Sequence, residues 1–461
     1  MSSFNLPILG SPSVWVAARE DPGRTLRKAN ERTILPQLCR SCEDRTRTPR
    51  VLGSDITGPG AVVWIWHAEG MSPPNPIAQV TLGTAYHHYT PYAFGQTLPD
   101  RLLHTYVIGQ TGTGKSTLIE NLARQDLNRG QGFCLIDPHG ELAEALSDHP
   151  HVLHWRVSDP NAVMGYNPLL SVSASRRHLV VSGLIEALKK QWADAWGPRM
   201  EHLLRYAVLA LLEQPQADLR DIMRLFLESD FQKQAIPRIS DPLVHAFWTK
   251  EYPAMNYRTS ADGVAPLANK LGALLSNPVV RNALCAPDQP LRFRTLMDAQ
   301  QSLVINLSKG QLGADTANVM GGLLLASLVN AAFSRADTKA TNRTPFILYV
   351  DEFHHFSTGV FADALSECRK YGLGAVLAQQ YTTQTDRDVL EAIFGNVGTI
   401  LALRVGALDA PMIAKQLLGV SPEQLILQPS YRAFVQMILR GQKQIPFSAD
   451  LHPPRRRHRG S

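Results

Sequence analysis

Lys115 and Ser116 end a run of glycines whose spacing suits phosphate chemistry. The segment 105–117 reads TYVIGQTGTGKST, and its pattern is Gly109, four residues, Gly114, Lys115 and Ser116, with Gly112 between. Backbone N–H groups can wrap a polyphosphate only where glycines allow close approach and unusual φ. The lysine then reaches the β and γ phosphates, and the serine hydroxyl is a Mg²⁺ ligand. Gly109, Gln110, Thr111, Gly112, Thr113, Gly114, Lys115, Ser116 and Thr117 are therefore the expected nucleotide-binding residues. A second chemical signal is the run 345–353, PFILYVDEF. Asp351, at the end of a buried strand, would orient Mg²⁺, and Glu352 would act as general base on the attacking water. The strand-like stretch 374–380 ends in two glutamines. Gln380 is the expected γ-phosphate sensor and Gln379 its rival.

These residues need elements to hold them. Tyr106 to Gly109 read as a strand end, and residues 117–124 have helical spacing, so the glycine run lies between strand and helix as the motif requires. Further strands are expected at 132–140, ending in Asp137, and at 151–157, 302–307, 374–380 and 433–439, with a turn and strand at 394–404 that ends in Arg404. A long apolar helix is expected after the loop 308–310, running to about Arg335, and further helices at 362–371 and 410–418. Strands alternating with helices predict a parallel sheet covered on both faces. Between 171 and 299 apolar residues recur at three- and four-residue spacing with no convincing strand, which predicts an all-helical insertion. The fold class is thus α/β, a phosphate-loop fold with a parallel-rich central sheet and an inserted helical subdomain. The expected boundaries are 1–97 for an N-terminal β-rich or irregular region and 98–170 with 300–445 for the ATPase domain. The helical subdomain covers 171–299, and 446–461 is a basic, proline-rich, disordered tail. Within the N-terminal region 61–66 and 77–82 look like short strands.

Composition bounds the class. At 461 residues, with 44% hydrophobic and 19% charged side chains, the chain is globular and long enough for two or three domains. A net charge of +6 permits a polyanionic partner without demanding one, although Arg455, Arg456, Arg457 and Arg459 crowd the C-terminus. No run of 18 or more apolar residues is seen, so no membrane-spanning helix is expected, and 320–332 reads as a buried helix. The N-terminus shows no secretory signal pattern. Five cysteines fit a reducing compartment. Cys39 and Cys42 form one CxxC with no second pair to complete a zinc site.

The chain resembles the HerA–FtsK superfamily of ring-forming ATPases, and the resemblance implies a RecA-like P-loop NTPase fold. Within the superfamily the closest likeness is to the coupling proteins of type IV secretion and bacterial conjugation, in a form without transmembrane helices. The stretches that carry the likeness are 104–118, 134–142, 165–169, 196–199, 306–310, 350–353, 369–373 and 395–398. The resemblance implies a cytoplasmic, bacterial, ATP- and Mg²⁺-dependent homo-hexamer that pumps single- or double-stranded DNA. Each site would be completed by a neighbour's arginine, which matches Arg369, with Arg404, Arg199 and Lys370 as rivals. Relaxase or secretion-channel proteins would be partners, and one of them could hold the motor at the inner membrane. Lys309, in the loop after a strand, is the candidate DNA contact. Two other functions are carried alongside: a HerA-like helicase or translocase working with a separate nuclease in repair or phage defence, and a protein-translocating ATPase of a secretion system.

Overall fold

A computed structural model describes residues 79–453, apart from 88, 171, 256, 286 and 440. The residues expected as strand at 61–66, Cys39, Cys42 and the terminal arginines lie outside the described residues. The chain divides into two units, Met1–Asn75 with His87–Thr90, and Pro76–Tyr86 with Pro91–Ser461. The second unit is the subject below.

Its sheet begins with β1 (Gln79–His87), β2 (Thr90–Thr97), β3 (Thr105–Ile108), β4 (Phe133–Asp137) and β5 (Val152–Arg156). After two short strands, β6 (Met164–Gly165) and β7 (Gln289–Pro290), it resumes with β8 (Ser302–Asn306), β9 (Phe346–Val350), β10 (Leu373–Gln379) and β11 (Thr399–Ala402). It closes with β12 (Arg432–Leu439), β13 (Gln442–Lys443) and β14 (Phe447–Leu451). The spatial order is β2-β1-β14-β12-β11-β3-β10-β9-β4-β8-β5, with β13 beside β12. From β11 to β5 every pairing is parallel. β12, β14 and β1 continue it antiparallel. β3, β4, β8, β9 and β10 are buried throughout, as strands covered on both faces must be. One face packs on the helices Lys115–Arg129 and Glu141–Leu146, the other on Ala314–Ser334, Gly359–Cys368 and Arg387–Asn396.

Between β6 and β7 the chain is helical, including Arg177–Gln191, Pro198–Leu211 and the twenty-residue helix Tyr257–Ser276. Its apolar residues join the same buried cluster as one face of the sheet.

Several sequence expectations need correction. The tail expected from 446 onward includes β14, which pairs with β1 and β12, and only residues from 454 lie outside the described part. Alternating Phe447, Ala449 and Leu451 give that strand its inward face, and the neighbouring proline and basic residues hid it. The N-terminal region was bounded at 97, yet β1 and β2 belong to the main sheet, because β14 offers β1 an open edge. Residues 394–396 are helix rather than turn, and Lys309 begins a short helix, Lys309–Leu312, rather than lying in a loop. The long apolar helix expected to run to about Arg335 is Ala314–Ser334. Among the described residues Ala314–Asp337 is long and apolar enough to cross a membrane, but 61% of its most apolar window is buried within the protein. Gly321 and Gly322 let Phe356 and Ala187 approach it closely, as a core helix requires.

Candidate functional site

The phosphate loop leaves β3 at Gly109, whose N–H donates to the Gln379 carbonyl, while Gln110 N–H donates to the Arg404 carbonyl at 2.8 Å. Both neighbouring strands thus hold the loop's root. The loop closes on itself through Thr113, whose hydroxyl donates to the Gln110 carbonyl at 2.6 Å. Gly112 and Gly114 have φ of 75° and 115°, which L residues rarely adopt. Helix Lys115–Arg129 follows with no side-chain cap, so its first N–H groups point into the loop with the helix's partial positive charge. Together these form an anion cradle. Lys115 Nζ donates to the Gly109 carbonyl at 2.7 Å and lies 3.8 Å from Glu352 Oε1.

The acidic pair comes from β9, two strands away across β10. Asp351 Oδ2 lies 3.5 Å from Ser116 Oγ, so the two expected Mg²⁺ ligands share one place. Burial, then the nearby charges of Glu352 and Asp137, push the Asp351 carboxyl up to about 7. A buried carboxylate group of this kind calls for positive charge, and its oxygen donors with the Ser116 hydroxyl suit a hard cation such as Mg²⁺. Glu352 has φ of 45°, a left-handed backbone that costs a non-glycine residue on the order of 1–3 kcal/mol. Its Oε2 accepts the Gln380 backbone N–H at 3.2 Å. The Gln380 side-chain amide donates to Thr111 Oγ1 at 2.5 Å and to Tyr381 at 2.8 Å, placing it on the phosphate loop. Strand alternation sends Gln379 elsewhere: its amide is buried, bonded to the Tyr106 and Thr385 hydroxyls. Of the two glutamines, Gln380 is the one beside the loop.

Of the other expected residues, some border this centre and some lie apart from it. Asp137 spends its carboxylate on the N–H groups of His139 and Ala143 at 2.9 and 2.8 Å. Arg369 is exposed in the turn before β10, at the opposite end of that strand from Gln379, so it cannot reach its own chain's phosphate loop. Lys370, beside it, pairs with Glu367 at 2.8 Å. Arg404 is close to the loop in its own chain, and its guanidinium donates to the Gln428 carbonyl. Arg199 begins the helical segment's Pro198–Leu211. Lys309, the expected DNA contact, is half-buried near Glu352; burial lowers its ammonium to about 8, with Glu352 opposing. It therefore belongs to the surroundings of the acidic pair.

Sequence reading missed Tyr431. It has φ of 63°, its N–H donates to the Thr113 carbonyl at 2.8 Å, and its ring lies where a β-carbon on Gly114 would stand, 2.8 Å from that position. It lies more than 300 residues beyond the loop, and no local motif marks it. Thr111, expected to bind nucleotide, is also the loop residue that meets the Gln380 side chain.

Residues 101–236 match the family described as helicase HerA, central domain. Among solved structures, the bacterial conjugative coupling protein TrwBdeltaN70 in its unbound monoclinic form is 18% identical over 80% of this chain and 88% of its own, with a TM-score of 0.58. The plasmid coupling protein TrwB in complex with ADP and Mg²⁺ gives 18%, 82%, 91% and 0.56 in the same order. VirB4 of Thermoanaerobacter pseudethanolicus is 13% identical over 82% of this chain and 96% of its own, with a TM-score of 0.55. No curated protein sequence matches the chain significantly. Residues 101–236 are thus similar to the HerA central domain, and over most of the chain the fold is the RecA-like P-loop fold seen in TrwB and VirB4.

Proposed function

We propose that the chain is an ATP-hydrolysing motor that translocates DNA, working as a homo-hexameric ring in conjugative transfer or type IV secretion. The observation that carries the chemistry is convergence. Lys115, Ser116, Asp351, Glu352 and Gln380 come from three separate segments and meet at the carboxyl edge of the parallel part of the sheet, where ligands bind in such folds. The loop N–H groups and Lys115 hold the phosphates. Ser116 and Asp351 would hold Mg²⁺, which neutralises phosphate charge when bound. Glu352 takes the proton of the attacking water, and Gln380, tied to Thr111 and to Glu352 through its backbone, reports on the γ-phosphate. Arg369 faces away from its own site and serves a neighbour's in the ring. Coupling to DNA, rather than hydrolysis as such, is the motor's purpose.

The test is ATPase activity of the full chain with and without single- and double-stranded DNA, alongside mass measurement of the assembly. Lys115→Ala should lose nucleotide binding. Glu352→Gln should retain binding and lose about 10²- to 10⁴-fold in turnover, the range for a general base. DNA binding should weaken steeply with salt. Hydrolysis indifferent to DNA would remove the motor reading. The family match at 101–236 favours a second reading, a HerA-like translocase paired with a separate nuclease. Cleavage of DNA only when a nuclease partner is added would favour it.

A further inference from the structure

Helix Arg177–Gln191 belongs to the helical segment, yet its last turn ends at the catalytic strand. Lys190 Nζ donates to the carbonyls of His354, at 2.8 Å, and of Ser357. Gln191 Nε2 donates to the His355 carbonyl at 2.8 Å. These carbonyls belong to the turn Phe353–His355 and its continuation, directly behind Glu352. The turn's own backbone bonds use the carbonyls of Glu352 and Phe353, with His355 N–H at 3.1 Å and Phe356 and Ser357 N–H both at 2.9 Å. The three outward carbonyls are thus left to the helix. Lys190 is half-buried and puts one ammonium on two of them, which is a fixed contact rather than a solvated surface lysine.

Glu352 needs such a contact. Its left-handed backbone persists only where the surroundings over-determine it. The His354 ring, 6% exposed, forms no hydrogen bond of its own, and its Nδ1 lies 3.5 Å from Glu352 Oε2. Its ring is pressed against His355 with centroids 3.9 Å apart. On the strand side Glu352 is held by Asp351 Oδ1, which accepts its N–H at 3.1 Å, and by the Gln380 N–H on its carboxylate. On the other side the turn that follows it is held from outside by the bonds from Lys190 and Gln191.

We infer that Lys190, helped by Gln191, is a positioning residue for hydrolysis, and that through it the helical segment sets the backbone conformation that aims Glu352. The inference rests on the reading of Glu352 as general base. It gives the helical segment a route to the chemical step that bypasses the phosphate loop: a load that moves Arg177–Gln191 pulls on the residues after Glu352 and leaves the nucleotide's own contacts alone.

The experiment uses the full chain with Lys190→Met, Lys190→Arg and Gln191→Ala, and Glu352→Gln as reference. Turnover, affinity for a fluorescent ATP analogue and melting temperature are measured for each. A misplaced catalytic group costs on the order of 10²-fold per ångström, so Lys190→Met should lower kcat by about 10- to 100-fold with nucleotide affinity kept. Lys190→Arg should recover most of the rate, since guanidinium can donate to the same carbonyls. Gln191→Ala should show a smaller loss of the same kind, and it carries the test should Lys190→Met not fold. Wild-type kcat in both Lys190→Met and Gln191→Ala overturns the inference, and so does a loss that only follows affinity or the folded fraction. Wild-type turnover in Glu352→Gln instead sinks the general-base reading, whatever Lys190 does.

Discussion

Gly114 carries two constraints at once. Its φ of 115° strains any L residue, and a β-carbon there would meet the Tyr431 ring at 2.8 Å. Gly114→Ala is expected to weaken nucleotide binding on the order of 10-fold or more. Adding Tyr431→Ala should recover only the steric share, and full recovery by titration calorimetry would mean that backbone strain is unimportant. His104 gives a pH-dependent prediction. Its Nδ1 accepts the Ala375 N–H at 3.1 Å, so its Nε2 carries the proton and donates to the Leu365 carbonyl at 2.8 Å. Burial lowers it to about 4, against the Leu365 bond, which raises it, and with Arg369 lowering it further. The unfolded imidazole binds a proton near pH 6.5, so between there and 4 the unfolded state holds more protons than the folded one. The stabilisation is complete above 6.5 and is lost as pH falls toward 4, by about 3 kcal/mol at most. Denaturant titrations across that range should show the slope, and His104→Gln should flatten it. A variant as pH-sensitive as the wild type would assign the slope to other groups.

The phosphate-loop helix is anchored to the sheet by a buried charge network. Arg101 grips Asp126 with two bonds of 2.6 and 2.8 Å, and the Tyr349 hydroxyl joins both partners at 2.7 and 2.6 Å. Asp126 lies on helix Lys115–Arg129 and Tyr349 on β9, so the network ties the cradle to the strand that carries the acidic pair. Removing one partner strands a buried charge. Asp126→Ala should cost about 3–5 kcal/mol in chemical denaturation. A loss below 1 kcal/mol, the range of exposed pairs, would show that water relieves the site. At this scale much was legible in sequence. β3, β4, β8, β9 and β10 are continuous apolar runs bounded by turns, and those runs were read directly. β14 and the helix that occupies 394–396 in place of a turn were not, because short segments take their state from partners distant in sequence.

Across the molecule, the proposed ring makes each site a shared one. Arg369 lies at the far end of β10 from its own phosphate loop, so any catalytic use of it is for another subunit. Arg369→Ala should keep nucleotide binding and lose turnover by about 10³-fold or more, as for other arginine fingers. Mixing Arg369→Ala with Lys115→Ala subunits should restore part of the activity, since some interfaces then join an intact loop to an intact arginine. Two inactive variants that stay inactive when mixed would mean the arginine acts otherwise.

Sequence alone determined the chemistry on offer. The glycine spacing at 109–116, the acidic pair at 351–352 and the glutamines at 379–380 sit in segments whose local pattern already decides strand, loop or helix. What only the tertiary structure decided is which of these groups meet. It set β10 between β3 and β9, gave Gln380 rather than Gln379 to the loop, laid Tyr431 on Gly114 and drew Lys309 toward Glu352. It also ran Lys190 from the helical segment to the turn behind Glu352. The physical reason is that periodicity and turn chemistry act over a few residues, whereas sheet order and side-chain encounters are set by burying apolar faces hundreds of residues apart.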